Sequence, residues 1–225
     1  MLLMPYERLP KAMLKGEIKN YYDRLQKKII YLFIKRVLDI ILSLTLIILL
    51  LPLIILIALI IKMQTGDSPI YRQIRVKQYM NKFEIYKFRT MKYSDSNALL
   101  TLKDDERVTK IGKVLRKYRL DELPQLFNIL KGDMSFVGAR PEVVQYVDLY
   151  SKNMLATFLL PVGLTSRASI KFKNENNLLS PANYKETYLN IILPKKMQLN
   201  ISYLNKISFF EDTKIFIKTI FEMLN

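Results

Sequence analysis

Residues 40–61 read IILSLTLIILLLPLIILIALII without a single charge, and as a straight helix this run would extend about 33 Å, enough to cross the hydrocarbon of a bilayer. Apolar residues surround such a helix on every side instead of forming one stripe, unlike a core helix of a soluble domain. A cleaved secretory signal fits poorly, because the run is long, starts late and lacks a small-x-small site after it. We read it as a retained membrane segment. Lys19, Arg24, Lys27, Lys28, Lys35 and Arg36 precede it, and Lys62, Arg72, Arg75, Lys77 and Lys82 follow it. Positive charge marks the cytoplasmic side, so a straight span would leave one basic flank outside. Pro52 falls near the middle, where it frees the carbonyl of Ile48 and predicts a kink. A kinked, re-entrant helix over 35–62, entering and leaving by the same face, satisfies the charges and the proline together if protein covers the bend; spanning is the alternative. Lys35 and Asp39, four apart, are spaced to pair at the interface, with Arg36 snorkelling to headgroups.

The remaining composition narrows the chemistry. The 225 residues carry 36 Lys and Arg against 20 Asp and Glu, a net charge of +16, with no His and no Cys. Thiolate or imidazole metal sites, disulfides, Cys nucleophiles and His-based proton transfer are thereby excluded. Chemistry must come from carboxylates, Lys, Arg, Tyr, hydroxyls or an oxygen-bound metal. Six glycines are too sparse for a phosphate-cradling fingerprint.

Along the chain, residues 1–34 read as a basic arm followed by an amphipathic helix over 11–34, resting on anionic lipid or simply solvated. Thr65-Gly66-Asp67-Ser68-Pro69 is turn chemistry that opens a second region over 63–170. Residues 70–75 alternate weakly, and 83–89 (FEIYKFR) form a short strand with a basic end, which predicts a hairpin. Asp104-Asp105-Glu106 opens a helix whose apolar side holds Val108, Ile111, Leu115 and Tyr118, with Val114 beside them. A second short helix runs through Leu123, Leu126, Phe127 and Leu130 to Lys131-Gly132. Residues 171–225 form a helical extension, its last helix, over 209–224, amphipathic and able either to rest on a membrane or to complete the core.

Leu120-Asp121-Glu122-Leu123-Pro124-Gln125 lies between the two middle helices. Pro124 fits a first helical turn, so Asp121 and Glu122 stand at or just before a helix N-terminus, where two acids are commonly simple caps. Here Arg116, Lys117 and Arg119 precede them and Arg140 follows. Cations lower the proton affinity of a carboxylate, which then remains an anion able to attack phosphorus or bind a divalent metal.

The strings DERVTKIGKVLR at 105–116 and LDELPQLFNILKGDMSFVGARPE at 120–142 resemble the bacterial sugar transferases, the monotopic phosphoglycosyl transferases that begin lipid-linked glycan assembly. Lys87-Phe88-Arg89-Thr90-Met91 is similar to a second signature of that family, and Lys35-Arg36 with Asp39 to a third; the resemblance covers roughly residues 29 to 170. It implies a mainly α fold with a short β-hairpin (α+β): a re-entrant kinked membrane helix, a compact cytoplasmic catalytic domain and surface amphipathic helices. It implies transfer of sugar-1-phosphate from a UDP-sugar to polyprenyl phosphate at the cytoplasmic face of a bacterial inner membrane, with UMP released and Mg²⁺ required. On this pattern Asp121 is the nucleophile, Glu122 its acidic partner near the metal, and Lys87, Arg89, Arg116, Arg140, Glu142 and Arg167 hold substrate. Membrane lipid is a partner and nucleic acid is not. Leu51 before the mid-run proline, Ala139 before Arg140 and the absence of glycine from 75–80 depart from the family pattern. A membrane-tethered nucleic-acid binder and a catalytically silent glycan scaffold are the competing classes; nothing in the sequence speaks to oligomeric state or to which sugar is carried.

Overall fold

The computed structural model describes residues 3–14, 16–92, 107–173, 175 and 184–224, and its organising element is one long helix. After helix α1 (Gly16–Gln26), helix α2 runs over Ile29–Thr65 with Pro52 inside it. The amphipathic helix expected over 11–34 is thus divided into a 3₁₀ turn at Lys11–Met13, α1, and the first residues of α2. The break falls at Lys27-Lys28, where Lys28 Nζ donates to the carbonyl of Ile207 at 2.7 Å. Gly66, left-handed at φ 73°, ends α2 by returning its N–H to Lys62.

Burial on α2 follows one stripe: Leu32, Lys35, Asp39, Ser43, Ile47, Ile54, Ile57 and Ile61, spaced at three, four and seven residues as on one helical face. Phe33, Ile41, Ile48, Leu49, Ile55, Leu56 and Leu59 stand exposed around it. Among the described residues this helix alone is long and apolar enough to cross a membrane, and so large an apolar surface requires a non-aqueous cover.

Strands β1 (Ile70–Val76) and β2 (Lys82–Phe88) form the expected antiparallel hairpin, in register from Ile70 opposite Phe88 to Val76 opposite Lys82. Its glycine-free turn places Tyr79 and Met80 at φ 58° and 60°, a conformation costly for side chains with a Cβ. Neighbours hold it there: Gln78 Nε2 donates to the Leu159 carbonyl at 2.9 Å, and the Tyr79 hydroxyl accepts from the Met4 amide at 2.9 Å.

Helices α3 (Lys110–Lys117) and α4 (Gln125–Lys131) lead to strand β3 (Met134–Val137), and α5 (Val144–Val147) to β4 (Val162–Thr165). β3 and β4 pair in parallel inside the core, an element that the sequence reading lacks. Gly138 and Gly163 let their backbones touch, since a Cβ on either would collide with the other strand's main chain. Helix α6 (Arg167–Lys171) follows; α7 (Tyr184–Thr187) passes through a π-helical turn at Tyr188–Ile192 into α8 (Leu193–Lys206), and α9 (Phe209–Leu224) comes last.

Several local expectations are corrected. Lys35 does not pair with Asp39: its Nζ meets Asp212 Oδ2 on α9 at 2.6 Å, while Asp39 Oδ1 accepts the amide of Phe136 on β3 at 3.2 Å. Arg36 does not reach toward headgroups: it donates to the carbonyls of Ile129 and Leu130 at 2.7 and 2.9 Å and caps α4. Helix α3 starts at Lys110, after Thr109 whose side chain accepts from the Gly112 amide; Asp104, Asp105 and Glu106 lie outside the described residues. Val108 bridges Met91 in extended conformation instead, and Val114 and Tyr118 face outward, about half exposed, with only Ile111 and Leu115 turned inward.

Candidate active site

The acid pair is set by backbone before any charge acts. Arg119, left-handed at φ 52°, reverses the chain after α3, and the 3₁₀ turn Leu120–Glu122 then delivers Asp121 and Glu122 just ahead of Pro124 and α4. Gly132, left-handed at φ 92°, closes the far end of α4, the position where a residue without Cβ is favoured. Asn128, fully buried on α4, locks the helix to the hairpin: its Oδ1 accepts from the Tyr86 amide at 2.9 Å and its Nδ2 donates to the Glu84 carbonyl at 2.7 Å. A side-chain amide thus takes the place of a third strand beside β2. One residue beyond Tyr86 stands Lys87.

Glu122 is the electrostatic centre. Its Oε1 accepts from Arg140 Nη2 at 2.7 Å and from Lys87 Nζ at 3.2 Å. Burial alone would raise this carboxyl, but the charges of Arg140 and Lys87 and the Arg140 hydrogen bond outweigh it and hold the group well below the usual carboxylate range. Arg140 in turn is held more firmly protonated by Glu122, and Lys87 is pushed down by burial while Glu122 pulls it back. Asp121 behaves oppositely. Burial, then repulsion from Glu122, raises its proton affinity against the pull of Lys87, Arg116 and Arg140. The expectation that surrounding cations lower both acids is therefore corrected: the cations are spent on Glu122, and Asp121 feels the neighbouring anion.

Of the other residues singled out from sequence, Arg116 donates to Thr90 Oγ1 at 2.9 Å and its charge reaches Asp121. Arg89 is turned to the start of the hairpin, with Nε on the Ser68 carbonyl at 2.8 Å and Asp67 at 3.8 Å. Glu142 is committed to the scaffold: Oε2 accepts from Tyr188 at 2.5 Å and Oε1 lies 3.5 Å from Arg75. Arg167 pairs with Glu211 of α9 at 2.5 Å. The geometry thus gathers Lys87, Arg116, Asp121, Glu122 and Arg140, and commits Arg89, Glu142 and Arg167 to other partners.

Arg75 is a residue that the sequence reading counted only as charge. From β1 it grips Gln73 Oε1 with Nε and Nη2 and the Pro141 carbonyl with Nη1 at 3.3 Å, while the neighbouring Val76 amide donates to the Glu142 carbonyl. The turn that carries Arg140 is thereby bolted to the hairpin that carries Lys87. An Arg on the inward side of a strand, two residues from Gln73, was the available signal.

Among the described residues no three acidic side chains converge, so a closed protein cage for a cation is absent there. Magnesium needs none: it takes one or two carboxylates and fills its octahedron with phosphate oxygens and water. Asp121 and Glu122 fit that donor set, and the cations around them suit a phosphorylated ligand.

The family model described as bacterial sugar transferase matches residues 30–225. The uncharacterized sugar transferase EpsL of Bacillus subtilis is 31% identical over 193 residues, 86% of this chain and 88% of that protein. The UDP-glucose:undecaprenyl-phosphate glucose-1-phosphate transferase of Escherichia coli is 33% identical over 84% of this chain. The UDP-N-acetylgalactosamine-undecaprenyl-phosphate N-acetylgalactosaminephosphotransferase of Aeromonas hydrophila is 42% identical over 60% of it. The matched regions are only 40% and 33% of those two longer proteins. With the match running through the acid pair, the residues that grip it and the helical extension, the chain belongs to the bacterial sugar transferase family.

Proposed function

We propose that the protein transfers sugar-1-phosphate from a UDP-sugar to polyprenyl phosphate through a covalent intermediate on Asp121. The observation that carries this reading is the division of labour in the acid pair, with Glu122 fixed by Arg140 and Lys87 and Asp121 beside it, less committed and ringed by the same cations. Substrate classes come from the relatives whose names specify UDP-glucose or UDP-N-acetylgalactosamine and undecaprenyl phosphate. In the first step an ionised Asp121 oxygen attacks the phosphorus that bears the sugar; the P–O bond to the uridylyl phosphate breaks and UMP leaves with the electron pair. In the second, an oxygen of polyprenyl phosphate attacks the same phosphorus, the acyl-phosphate bond breaks, and the Asp121 carboxylate is restored. Lys87, Arg116 and Arg140 stabilise the charge of the phosphoryl oxygens; Asp121 and Glu122 would hold Mg²⁺, which would supply further neutralisation of the donor's diphosphate charge.

The apolar helix belongs to the same proposal as a re-entrant anchor on the cytoplasmic face of a bacterial inner membrane. Both of its halves are tied to one domain, which supports this topology. The first half is held through Arg36 and Asp39 on α4 and β3, and the second through Ile57 and Ile61 in a cluster with Phe88 and Leu115. A transmembrane span would place those ends on opposite sides.

The test is UMP release from a panel of UDP-sugars by the full chain in polyprenyl-phosphate-containing nanodiscs with Mg²⁺. We expect turnover with at least one donor, none for Asp121→Asn, and a phosphosugar adduct on Asp121 by mass spectrometry when acceptor is withheld. Undiminished turnover of Asp121→Asn would overturn the nucleophile assignment.

A further inference from the structure

Among the described residues Arg140 hydrogen-bonds one carboxylate, Glu122 at 2.7 Å. Packing alone does not hold it there, since its side chain is 38% exposed. Two carboxylates outside the acid pair stand close by. Glu142 follows Arg140 by two residues, and Glu175 lies near enough for its charge to act on the guanidinium. A guanidinium fork accepts any carboxylate of suitable geometry, so its choice of Glu122 has to be enforced.

Both rivals are occupied from the C-terminal extension. Glu142 Oε2 accepts from Tyr188 at 2.5 Å, and Glu175 Oε2 from Lys196 Nζ at 2.7 Å. Tyr188 and Lys196 form one unit: the ammonium lies 5.3 Å over the tyrosine ring, a cation–π contact, and the two residues are only 3% and 9% exposed. Local backbone brings them together. Pro194, at the start of α8, has no N–H to return to Asn190, and the turn before it, Tyr188–Ile192, is π-helical, a form often found at functional sites. Burying an ammonium is costly unless a counter-charge meets it, and here that counter-charge is the carboxylate that would otherwise compete for Arg140.

We propose that Lys196, braced on the ring of Tyr188, is a positioning residue: by holding Glu175 it keeps Arg140 turned to Glu122 and thereby aimed at the phosphoryl group that Asp121 receives. Its kinetic consequence rests on the reaction proposed above, whereas its geometric content does not. Without Lys196, Glu175 and Glu122 divide Arg140 between them, and only the fraction on Glu122 is productive.

Lys196→Met keeps an unbranched apolar stem and removes the charge. In the full chain, assayed by UMP release in polyprenyl-phosphate nanodiscs with UDP-glucose and UDP-N-acetylgalactosamine among the donors, it should lower kcat about tenfold, with the donor KM changed by no more than about twofold. Adding Glu175→Gln removes the competitor and should restore most of that kcat. In an Arg140→Ala background Lys196→Met should cost nothing further. A crystal structure of the Lys196→Met variant should show Arg140 within hydrogen-bond distance of Glu175. An unchanged kcat in Lys196→Met would overturn the proposal. So would a loss that tracks thermal stability, persists with Glu175→Gln and adds in full to that of Arg140→Ala, which would leave Lys196 as scaffold alone. If the unmodified protein releases no UMP from any donor, the reaction proposed above fails, and the crystal comparison still decides this inference: Arg140 found on Glu122 in the variant would defeat it.

Discussion

Asp121 and Glu122 adjoin in sequence yet differ in proton affinity because Arg140 and Lys87 both choose Glu122. Two consequences can be measured. In the proposed reaction Asp121 attacks as the ionised carboxylate, and burial and Glu122 raise its proton affinity, so kcat/KM is expected to fall on the acid side at a pH above the ordinary aspartate range. Glu122→Gln removes the repelling charge and releases Arg140 and Lys87 toward Asp121, which moves that acid limb to lower pH while turnover drops. Asp121→Asn loses about four orders of magnitude or more in kcat, and Arg140→Ala about two to three, the scale for removing one preorganised charge. Stability carries its own pH signature at Glu211, whose carboxyl Arg167 holds below its usual value of 4.5. A depressed group contributes fully above that value and loses its contribution as pH falls through its lower folded value. Arg167→Gln should flatten the acid side of the stability profile in denaturant titrations while leaving the neutral-pH fold intact.

Element by element, the sequence was readable wherever local chemistry decides structure. Pro124 and Gly132 bracket α4, the short strand-like run with a basic end at 83–89 marks β2, and the uncharged run marks α2. What escaped was decided by distant partners. The parallel β3–β4 pair rests on two glycines 25 positions apart that permit a backbone contact no spacing rule records. The turn at Tyr79 and Met80 is held by Met4 and Leu159, far along the chain. Lys35 and Asp39 satisfied a helical pairing rule, and the fold used each for something else. In the site, the acid pair and its gripping cations were visible, whereas Glu142 and Arg167 were diverted by Tyr188 and Glu211, residues on helices whose docking the sequence does not specify. Arg36 offers a direct check at this scale. Arg36→Ala strips two carbonyls of α4 of charged donors and should cost about 2–3 kcal/mol in unfolding free energy, measured by thermal or denaturant unfolding in detergent.

At the scale of the whole molecule, the helical extension and the long helix α2 meet at Asp212, which gathers Lys35, Tyr31 and Tyr203. Asp212→Asn leaves a buried ammonium without its counter-charge and should destabilise the fold by about 3–5 kcal/mol; Lys35→Met with Asp212→Leu removes both charges and should recover most of that loss. The grip of Arg36 on α4 and of Asp39 on β3 also bears on how this enzyme can be handled. Trimming a hydrophobic leader to obtain a water-soluble fragment presumes that the leader is luggage. Here the leader supplies the last hydrogen bonds of a helix that begins three residues after the acid pair, so a fragment starting after Thr65 would be a damaged protein and not a smaller one.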